Sequence, residues 1–328
     1  MKNKPFVAVV GGGIAGLSCA VELRKLGLEV LVFDKSRGVA GRMSTRRGEG
    51  WQCDHGAQYF TARDPGFRAE VARWQAAGVA AVWQPRLAVM GGSGAHQPDA
   101  GLERFVGVPR MTAPARHLAD GLDLRLESPV VGLRRDGVSW CLDTLNAGES
   151  VARFDAVILA VPAPQAVPLL QPVSDRLAAM AAQVVMRGSW ALMLRYATPL
   201  SLPFDAAFVN DGPLRWIARD CSKPGRERME TWLLHATAEW SEAHMEDSSE
   251  QVAEALLAAF SALGGAAPVA WTAHRWRYAD SLPALEDECA WDDSTRLGMC
   301  GDWLNGGKVE GAWLGGRALA RRVAASFS

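Results

Sequence analysis

Three glycines near the start of the chain have the spacing of a phosphate-binding turn. Gly11, Gly13 and Gly16 fit the pattern G-x-G-x-x-G, and Asp34 follows at the end of the next apolar run. In such a turn the first glycine permits a tight bend, the second lets the backbone approach a pyrophosphate, and the third allows close helix–strand packing. A helix that begins there directs free N–H groups and partial positive charge at the phosphates. Because Asp34 can accept hydrogen bonds from ribose hydroxyls, we expect a bound adenine dinucleotide.

A second glycine-containing segment follows Asp34. The stretch KSRGVAGRMST places Gly41 and Arg42 shortly after the acid, with Ala40 before them. An arginine here can return to the pyrophosphate with a charge-assisted hydrogen bond, which contributes about 1.5–3 kcal/mol. The glycine turn is shared by NAD-linked dehydrogenases and flavoproteins, so the choice between NAD and FAD depends on this segment and those after it.

In the stretch DHGAQYFT, from Asp54 to Thr61, two small residues lie between an acid and a histidine on one side and two aromatic residues on the other. Gly56 and Ala57 leave room for a flat ring against the backbone, and the residues from Gln58 onward read like the start of a strand.

These segments resemble, in order along the chain, the FAD-dependent amine oxidase superfamily. There a G-G-R motif follows the ribose-binding acid, and Ala40 replaces its first glycine here. FDAVILAVP resembles the returning strand of the superfamily, and CGDWLNGGKVEGAWLGG resembles its C-terminal flavin signature. The chain is most similar to the renalase family, through DHGAQY, the Gly41–Met43 triplet and the RWRY string at Arg275–Tyr278. The resemblance is thin between residues 165 and 230.

The resemblance implies FAD and assigns residues to it. Asp302 would bind a ribityl hydroxyl, and Gly56 and Ala57 would lie along the isoalloxazine with Gln58 at its polar edge. The helix beginning near Val309 would face the pyrimidine edge, where a helix N-terminus stabilises the negative charge of a reduced flavin. The residues expected to contact FAD are Gly11, Gly13, Ala15, Gly16, Asp34, Lys35, Gly41, Arg42, Met43, Gly56, Ala57, Gln58, Val130, Asp302, Val309, Glu310, Gly311 and Ala312.

The resemblance also implies a reaction. Renalase-like enzymes oxidise dihydronicotinamide dinucleotides reduced at ring position 2 or 6, and the products are NAD(P)+ and hydrogen peroxide. Such a site needs stacking, orientation and oxygen access more than an acid or a base, so we assign no catalytic side chain. The residues expected to contact the substrate are Ala57, Gln58, Tyr59, Phe60, Thr61, His96, Arg187 and His235, whereas His244 and His274 are expected to be structural.

Two alternatives remain open at this point. An amine oxidase or a related desaturase acting on a small amine would share the same cofactor motifs. Some amine oxidases attach FAD through a cysteine, but RWRYADSLPALEDE contains none and Cys289 lacks the expected aromatic neighbour, which favours non-covalent FAD. A flavin-binding redox sensor without turnover is the alternative from a different functional class.

The elements that must position these residues indicate an α/β fold. Phe6–Val10 and Leu28–Phe33 read as buried strands with an amphipathic helix between them. We expect a two-domain flavoprotein, with a Rossmann-like FAD-binding domain in segments 1–62, 110–162 and 272–328. A mixed-sheet substrate domain would comprise segments 63–109 and 163–271. Further expected elements are an Asp136-Gly137 hairpin, a strand from Ala156 to Val161 and a helix between Ser248 and Gly264.

The composition of the chain argues against several other classes of protein. The 328 residues are 49% apolar and 22% charged, with a net charge of −1, so neither disorder nor a general attraction to nucleic acid is indicated. No apolar run approaches the roughly 20 residues that span a bilayer, and MKNKPFVAVV reads as a first strand rather than a signal peptide. The six cysteines are scattered without metal-site spacing. We expect a reduced, cytoplasmic enzyme with a small-molecule substrate and O2 as its partners.

Overall fold

The structure is a computed structural model that describes residues 4–92, 101–145, 148–149, 152–227, 229–282 and 285–327. Its strands are β1 Phe6–Val10, β2 Glu29–Phe33, β3 Thr45–Gly48, β4 Trp51–Asp54, β5 Ala80–Val82, β6 Leu87–Met90, β7 Phe105–Gly107, β8 Asp123–Arg125, β9 Val130–Asp136, β10 Ser139–Thr144, β11 Gly148–Glu149, β12 Ala156–Leu159, β13 Val185–Tyr196, β14 Ala206–Val209, β15 Leu214–Arg219, β16 Glu230–Ala236, β17 Ala270–Leu282, β18 Ala290–Asp292 and β19 Leu297–Met299.

Its helices are α1 Ile14–Lys25, α2 Pro65–Ala76, α3 Ala113–Ala119, α4 Ala163–Leu170, α5 Asp175–Ala182, α6 Ala238–Ala243, α7 Ser249–Ala262 and α8 Val309–Ala325. Short 3-10 turns lie at Gly41–Met43, Asp220–Ser222 and Asp302–Leu304.

A six-stranded sheet contains the predicted β1–α1–β2 unit. Its strand order is β18-β19-β12-β1-β2-β8, and all neighbouring strands are parallel except β18 and β19. All four residues of β12 and the last four of β1 are buried, as expected for central parallel strands covered on both faces. The carboxyl ends of β1 and β12 therefore meet at one edge, where the α1 turn begins. The predicted Rossmann-like unit is confirmed.

A second six-stranded sheet has the order β17-β13-β16-β15-β14-β6. Its neighbours are antiparallel except β14 and β6, which run parallel, so the predicted mixed sheet is also confirmed. Helix α7 covers one face through a core that includes Val252, Leu256 and Phe260. The helix begins with a capping box between Ser248 and Gln251, because their side chains bond each other's backbone N–H groups.

The division into domains stays a proposal. The position of strand β17 changes one proposed boundary, the start of the last segment of the dinucleotide domain. We expected segment 272–328 to belong to the dinucleotide domain. However, β17 pairs with β13 from Ala270 to Leu282 and so lies in the mixed sheet. We therefore propose that the last segment of the dinucleotide domain begins near residue 285.

Other local predictions have mixed outcomes. The Asp136-Gly137 hairpin is confirmed, because β9 and β10 pair antiparallel and Gly137 has a φ of +62°. The strand start predicted from Gln58 to Thr61 is wrong. Only Phe60 forms an isolated bridge, with Phe105. The side chain of Gln58 instead bonds the backbone oxygens of Asp54 and Gly56, which holds the segment before Phe60 as a turn.

The described residues contain no group of three His, Cys, Asp or Glu side chains placed to hold a metal ion. All six cysteines lie within them and are free thiols. None of the helices in the described ranges is long and apolar enough to cross a membrane.

Candidate functional site

A cleft of about 1940 Å³ is lined by residues of both six-stranded sheets. Pockets for a single small molecule are typically roughly 300–1,000 Å³. The cleft therefore has room for a dinucleotide and a second ligand. Its lining includes residues of the β1–α1 turn and residues of β15 and β17.

The β1–α1 turn has the geometry that a phosphate cradle requires. Gly11 has a φ of +114°, and a Cβ there would lie 2.3 Å from the backbone oxygen of Ala160. A Cβ on Gly16 would lie 2.0 Å from the oxygen of Gly11, so helix and strand pack backbone to backbone. A Cβ on Gly13 would meet nothing within 4 Å, and Gly13 lines the cleft. No side chain caps the N-terminus of α1, so its N–H groups remain for a ligand.

Asp34 lies beside this turn and is held by two backbone donors. Its Oδ2 accepts from the N–H of Gly12 at 2.6 Å, and its Oδ1 accepts from Ser36 at 2.7 Å. Each oxygen has a second lone pair. The carboxylate is thus fixed in direction while it can still accept from ribose hydroxyls.

Arg42 and Asp302 both line the cleft, and in this structure they bond each other. Nη1 and Nη2 of Arg42 donate to the two carboxylate oxygens of Asp302 at 2.9 and 2.5 Å, which is a bidentate pair. Nη1 also donates to the oxygen of Ala279 at 3.2 Å. The expected contacts of Arg42 with pyrophosphate and of Asp302 with a ribityl hydroxyl stay predictions.

The segment Gly56–Gln58 is held rigidly against the Gly41–Met43 turn. The N–H of Ala57 donates to the oxygen of Arg42 at 2.9 Å, and a Cβ on Gly56 would lie 2.0 Å from that oxygen. Nε2 of Gln58 donates to the oxygens of Asp54 and Gly56 at 2.7 and 3.0 Å. Both amide protons of Gln58 are therefore used within the protein, so its side chain shapes the segment. Only its oxygen remains for the contact expected with the polar edge of a flavin, and that oxygen already accepts one hydrogen bond, from Lys223.

Four fully buried charges lie beneath this segment. Nζ of Lys223 lies 3.1 Å from Oδ2 of Asp54 and 2.7 Å from Oδ1 of Asp220. Nη2 of Arg226 lies 2.6 Å from the same Asp54 oxygen. Nζ of Lys223 also donates to Oε1 of Gln58 at 3.2 Å, which joins the charge cluster to the cleft wall.

The ionisation of this buried cluster follows from its geometry. Burial by itself would raise the pKa of Asp54, but Lys223 and Arg226 hold that pKa well below its ordinary value. Burial and then the charge of Asp54 raise the pKa of Asp220. Burial acts to lower the pKa of Lys223, but the two carboxylates reverse this and raise it. Lys223 is therefore charged at neutral pH, and it lies between the two carboxyl groups.

Three histidines and a tryptophan that line the cleft form a histidine cluster: His55, His235, His274 and Trp276. The His55 ring lies 4.6 Å from the His274 ring and 5.1 Å from the Trp276 ring, between centroids. Nε1 of Trp276 donates to the oxygen of His55 at 2.8 Å, and Nε2 of His235 bonds the same oxygen at 3.0 Å. His235 therefore carries its proton on Nε2.

The histidine cluster is neutral at physiological pH. Burial lowers the pKa of His55 to about 3, with further contributions from His274 and Arg46. Burial likewise lowers the pKa of His235 and of His274 to about 4, and Arg46 adds to the shift of His274.

Acidification from pH 6.5 towards pH 4 should therefore destabilise the folded protein. Unfolded histidines titrate near 6.5, whereas His235 and His274 titrate at about 4 when folded. The unfolded chain binds more protons in this interval, so stability rises with pH and levels off above it. Each unit of difference between the folded and the unfolded pKa of a histidine corresponds to about 1.4 kcal/mol in the free energy of unfolding.

Chemical denaturation at a series of pH values would measure this dependence. His274→Gln should flatten the slope, whereas His117→Gln, at an exposed position of α3, should not. A parent protein whose stability does not change across the interval would contradict the burial of neutral histidines.

Most of the sequence-predicted residues are brought together in one cleft. Those that line it are Gly11, Gly13, Ala15, Asp34, Lys35, Gly41, Arg42, Met43, Gly56, Ala57, Gln58, Tyr59, Phe60, Thr61, Val130, His235, Asp302, Val309 and Ala312. His96 lies outside the described residues.

Four predicted residues do not line the cleft: Gly16, Arg187, Glu310 and Gly311. Oε1 of Glu310 accepts from the N–H groups of Arg63 and Asp64 at 2.7 and 2.6 Å, so this acid fixes the start of α2 instead. A Cβ on Gly311 would lie 1.6 Å from the oxygen of Asn305, which indicates a packing role. Arg187 forms ion pairs with Glu239 and Asp280 at 3.0 and 3.3 Å.

Sequence reasoning missed several residues of the site. His274 was expected to be structural, but it lines the cleft together with His55, Arg46 and Trp276. The presence of His55 in DHGAQYFT, directly before the small residues, was the one signal that could have indicated a role. No comparable signal marked Lys223, because it reaches Asp54 across 169 residues of sequence.

The cleft wall is strongly basic. Its lining includes ten arginines and two lysines against four carboxylates. Each carboxylate has a partner: Asp34 has backbone donors, Asp302 has Arg42, Asp280 has Arg187 and Arg215, and Glu227 lies 3.7 Å from Arg110. The chain as a whole has a net charge of −1, so the positive charge is concentrated here.

Comparisons with known proteins agree with this geometry. Residues 9–73 match a family model described as NAD(P)-binding Rossmann-like domain, and residues 71–324 match one described as flavin containing amine oxidoreductase. An L-amino acid oxidase of Cerastes cerastes is 45% identical over 63 residues, which are 19% of this chain and 12% of that oxidase. The chain therefore matches only a small part of the length of this curated relative.

Two solved structures share the fold. A candidate protoporphyrinogen oxidase from Exiguobacterium sp. 255-15 has a TM-score of 0.79 at 12% identity, over 98% of this chain and 99% of that one. Cyclohexylamine oxidase from Brevibacterium oxydans IH-35A has a TM-score of 0.74 at 14% identity, over 99% and 100% of the chains. At these identities the likeness shows the fold alone.

Proposed function

The chain belongs to the flavin-containing amine oxidoreductase family, and we propose that within this family it is a renalase-like oxidase. FAD is its cofactor, and it is an oxidoreductase of the flavin amine oxidase and desaturase type. The proposed reaction is the oxidation of 2- and 6-dihydro-NAD(P) to NAD(P)+, with O2 as the electron acceptor and hydrogen peroxide as the second product.

The residues of the cleft fit FAD. The open space above Gly13 and the uncapped start of α1 suit its diphosphate, and Asp34 suits a ribose. The start of α8 also lacks a side-chain cap, and Val309 and Ala312 line the cleft there. When bound, FAD supplies the hydride acceptor and passes the electrons on to O2.

We propose that FAD is held without a covalent bond to cysteine. Among the described residues no cysteine lines the cleft, and Cys289 is buried outside it. Acid precipitation should therefore release the flavin, and flavin retained in the precipitate would contradict this.

The observation that supports a dinucleotide substrate is the charge of the cleft lining as a whole. Its arginines outnumber its carboxylates, those carboxylates already have partners, and the neighbouring histidines are neutral. A protonated amine would meet unpaired positive charge without a free acid, which is unfavourable at short range. A flat dihydronicotinamide with a negatively charged diphosphate suits the same surface.

The chain's own part in this reaction is binding and orientation. Gly56 and Ala57 fix the backbone on which a ring can stack, and the bond from Ala57 to the oxygen of Arg42 holds that backbone in place. The aromatic side chains of Tyr59, Trp216 and Trp276 also line the cleft, and their apolar surface would shield a stacked ring from water. A dihydronicotinamide is already a strong hydride donor, so orientation close to the acceptor supplies most of what the step needs.

Ala57→Leu should slow reduction of the flavin while FAD stays bound. Ala57 lines the cleft in the segment on which the ring is expected to stack, so a longer side chain would occupy the stacking position. A loss of about 10²-fold in the reduction rate is expected from such misplacement.

Stopped-flow absorbance would measure the rate, and flavin content after purification is the control. Ala57→Gly should retain both rate and FAD content. An unchanged rate in the leucine variant would contradict stacking at this position.

An amine oxidase is the second candidate, and one observation favours it. Tyr59 and Trp216 line the cleft with ring centroids 5.6 Å apart, and Phe208 packs 4.8 Å from Trp216. Such an aromatic wall can attract a cation. The arginines around it act in the opposite direction.

A panel of donors would test the proposed function. Hydrogen peroxide formation in air should be fast with 2- and 6-dihydro-NAD and their NADP counterparts, and slow with ordinary 4-dihydro-NADH. Monoamines and polyamines should give none. Peroxide formed from an amine, with none from the isomeric dihydronicotinamides, would replace this function with amine oxidation.

A further inference from the structure

Arg46 is a partly buried cation for which the protein supplies no counter-charge. It lies on β3 and lines the cleft beside the histidine cluster. Its Nε is shielded from solvent and has no hydrogen-bond partner, and no carboxylate of the described residues pairs with its guanidinium. His55 and His274 line the same cleft as Arg46. A buried charge without a partner is unfavourable, and an anionic ligand would offset this.

The β3–β4 hairpin fixes the position of Arg46. Arg46 pairs with Cys53 across the hairpin, so both side chains lie on the same face. Cys53 is fully buried against Ala191, Met193 and Leu233 of the mixed sheet. Arg46 is therefore directed at the mixed sheet and the cleft rather than at bulk solvent.

Further arginines line the cleft on β15 and β17, namely Arg215, Arg275 and Arg277. Arg275 and Arg277 share one acid, the exposed Glu246, at 3.1 and 2.8 Å. Arg215 lies 3.5 Å from Asp280, which Arg187 also contacts. Positive charge therefore remains after these pairs are formed.

We propose that Arg46 is the principal residue that binds the diphosphate of the dinucleotide substrate, an inference that rests on the proposed function. Its planar guanidinium can donate two parallel hydrogen bonds to phosphate oxygens. His55 directly precedes Gly56, and His55, Gly56 and Arg46 all line the cleft, so the anion site shares the cleft with the position expected for the substrate ring.

Binding to the FAD-loaded protein would test this without turnover. Isothermal titration calorimetry with NAD+, ADP-ribose and nicotinamide riboside compares ligands that have and lack the diphosphate. Arg46→Ala should lower the affinity for NAD+ and for ADP-ribose by about ten- to a hundredfold, which is the range expected for the loss of a charge-assisted hydrogen bond. Nicotinamide riboside should bind as it does to the parent.

Two further variants make the comparison specific. Arg46→Lys should recover part of the affinity, because it keeps the charge but loses the forked geometry. Arg176→Ala removes an exposed arginine near Asp292, outside the cleft, and should change nothing. Flavin absorbance confirms that each variant is folded and loaded.

The outcomes separate the inference from the proposed function. Equal NAD+ affinity in the parent and Arg46→Ala would overturn the inference alone, as would an equal loss of nicotinamide riboside affinity. A parent that binds neither NAD+ nor ADP-ribose would overturn the proposed function and this inference together.

Discussion

Replacing Lys223 by methionine should lower the free energy of unfolding by about 3–5 kcal/mol, because it leaves a buried carboxylate without its cation. The ammonium of Lys223 lies 2.7 Å from Asp220 and 3.1 Å from Asp54, and all three side chains are fully buried. The change also removes the donor to Oε1 of Gln58, which holds the cleft wall. Guanidinium denaturation of the FAD-loaded protein would measure the effect.

A surface ion pair provides the control. Arg68 and Glu103 lie 3.0 Å apart with about half of each side chain exposed, so Arg68→Ala should change stability by less than about 1 kcal/mol. If Lys223→Met is no more damaging than Arg68→Ala, the buried cluster does not support the fold as we infer.

Gly11→Ala should destabilise the fold, whereas Gly13→Ala should reduce only the affinity for FAD. At Gly11 a methyl group would lie 2.3 Å from the oxygen of Ala160, and the φ of +114° is unfavourable for any residue with a Cβ. Overpacking and backbone strain each cost roughly 1–3 kcal/mol, so a total of a few kcal/mol is expected.

The matched variant differs because a Cβ on Gly13 meets no protein atom within 4 Å and faces the cleft. Its methyl group would occupy the space that we assign to the FAD diphosphate. Thermal unfolding of the flavin-free proteins and FAD titration would separate the two effects. A Gly13→Ala variant that binds FAD as tightly as the parent would contradict the assigned position of the diphosphate.

Local sequence signals were sufficient for the elements around the FAD-binding turn. The β1–α1–β2 unit has strands with continuous apolar residues and a helix between them, and the glycines define the turn. Helix α7 was also predictable, because Ser248 caps it and Gly264, with a φ of +93°, ends it. In each case the determining interactions occur between residues close in sequence.

The buried charges and the histidine cluster were not predictable, because their residues come from segments that are far apart in sequence. Asp54 obtains its charge partners from Asp220–Arg226, and the histidine cluster joins residues of β16 and β17 to the end of β4. Pairing across such distances has no local pattern. The family resemblance places Gln58 at the polar edge of the flavin and Glu310 in the helix start that faces it. The folded chain uses much of the hydrogen-bonding capacity of these two side chains within itself, for the cleft wall and for the start of α2.

An anaerobic titration of the purified, FAD-loaded protein would test the proposed oxidation most directly. Addition of 2- or 6-dihydronicotinamide dinucleotide should bleach the flavin in proportion to the donor added, and air should restore the colour. Monoamines and polyamines should leave the colour unchanged. Rapid bleaching by an amine, with no response to the isomeric dihydronicotinamides, would contradict the proposed substrate and establish amine oxidation in its place.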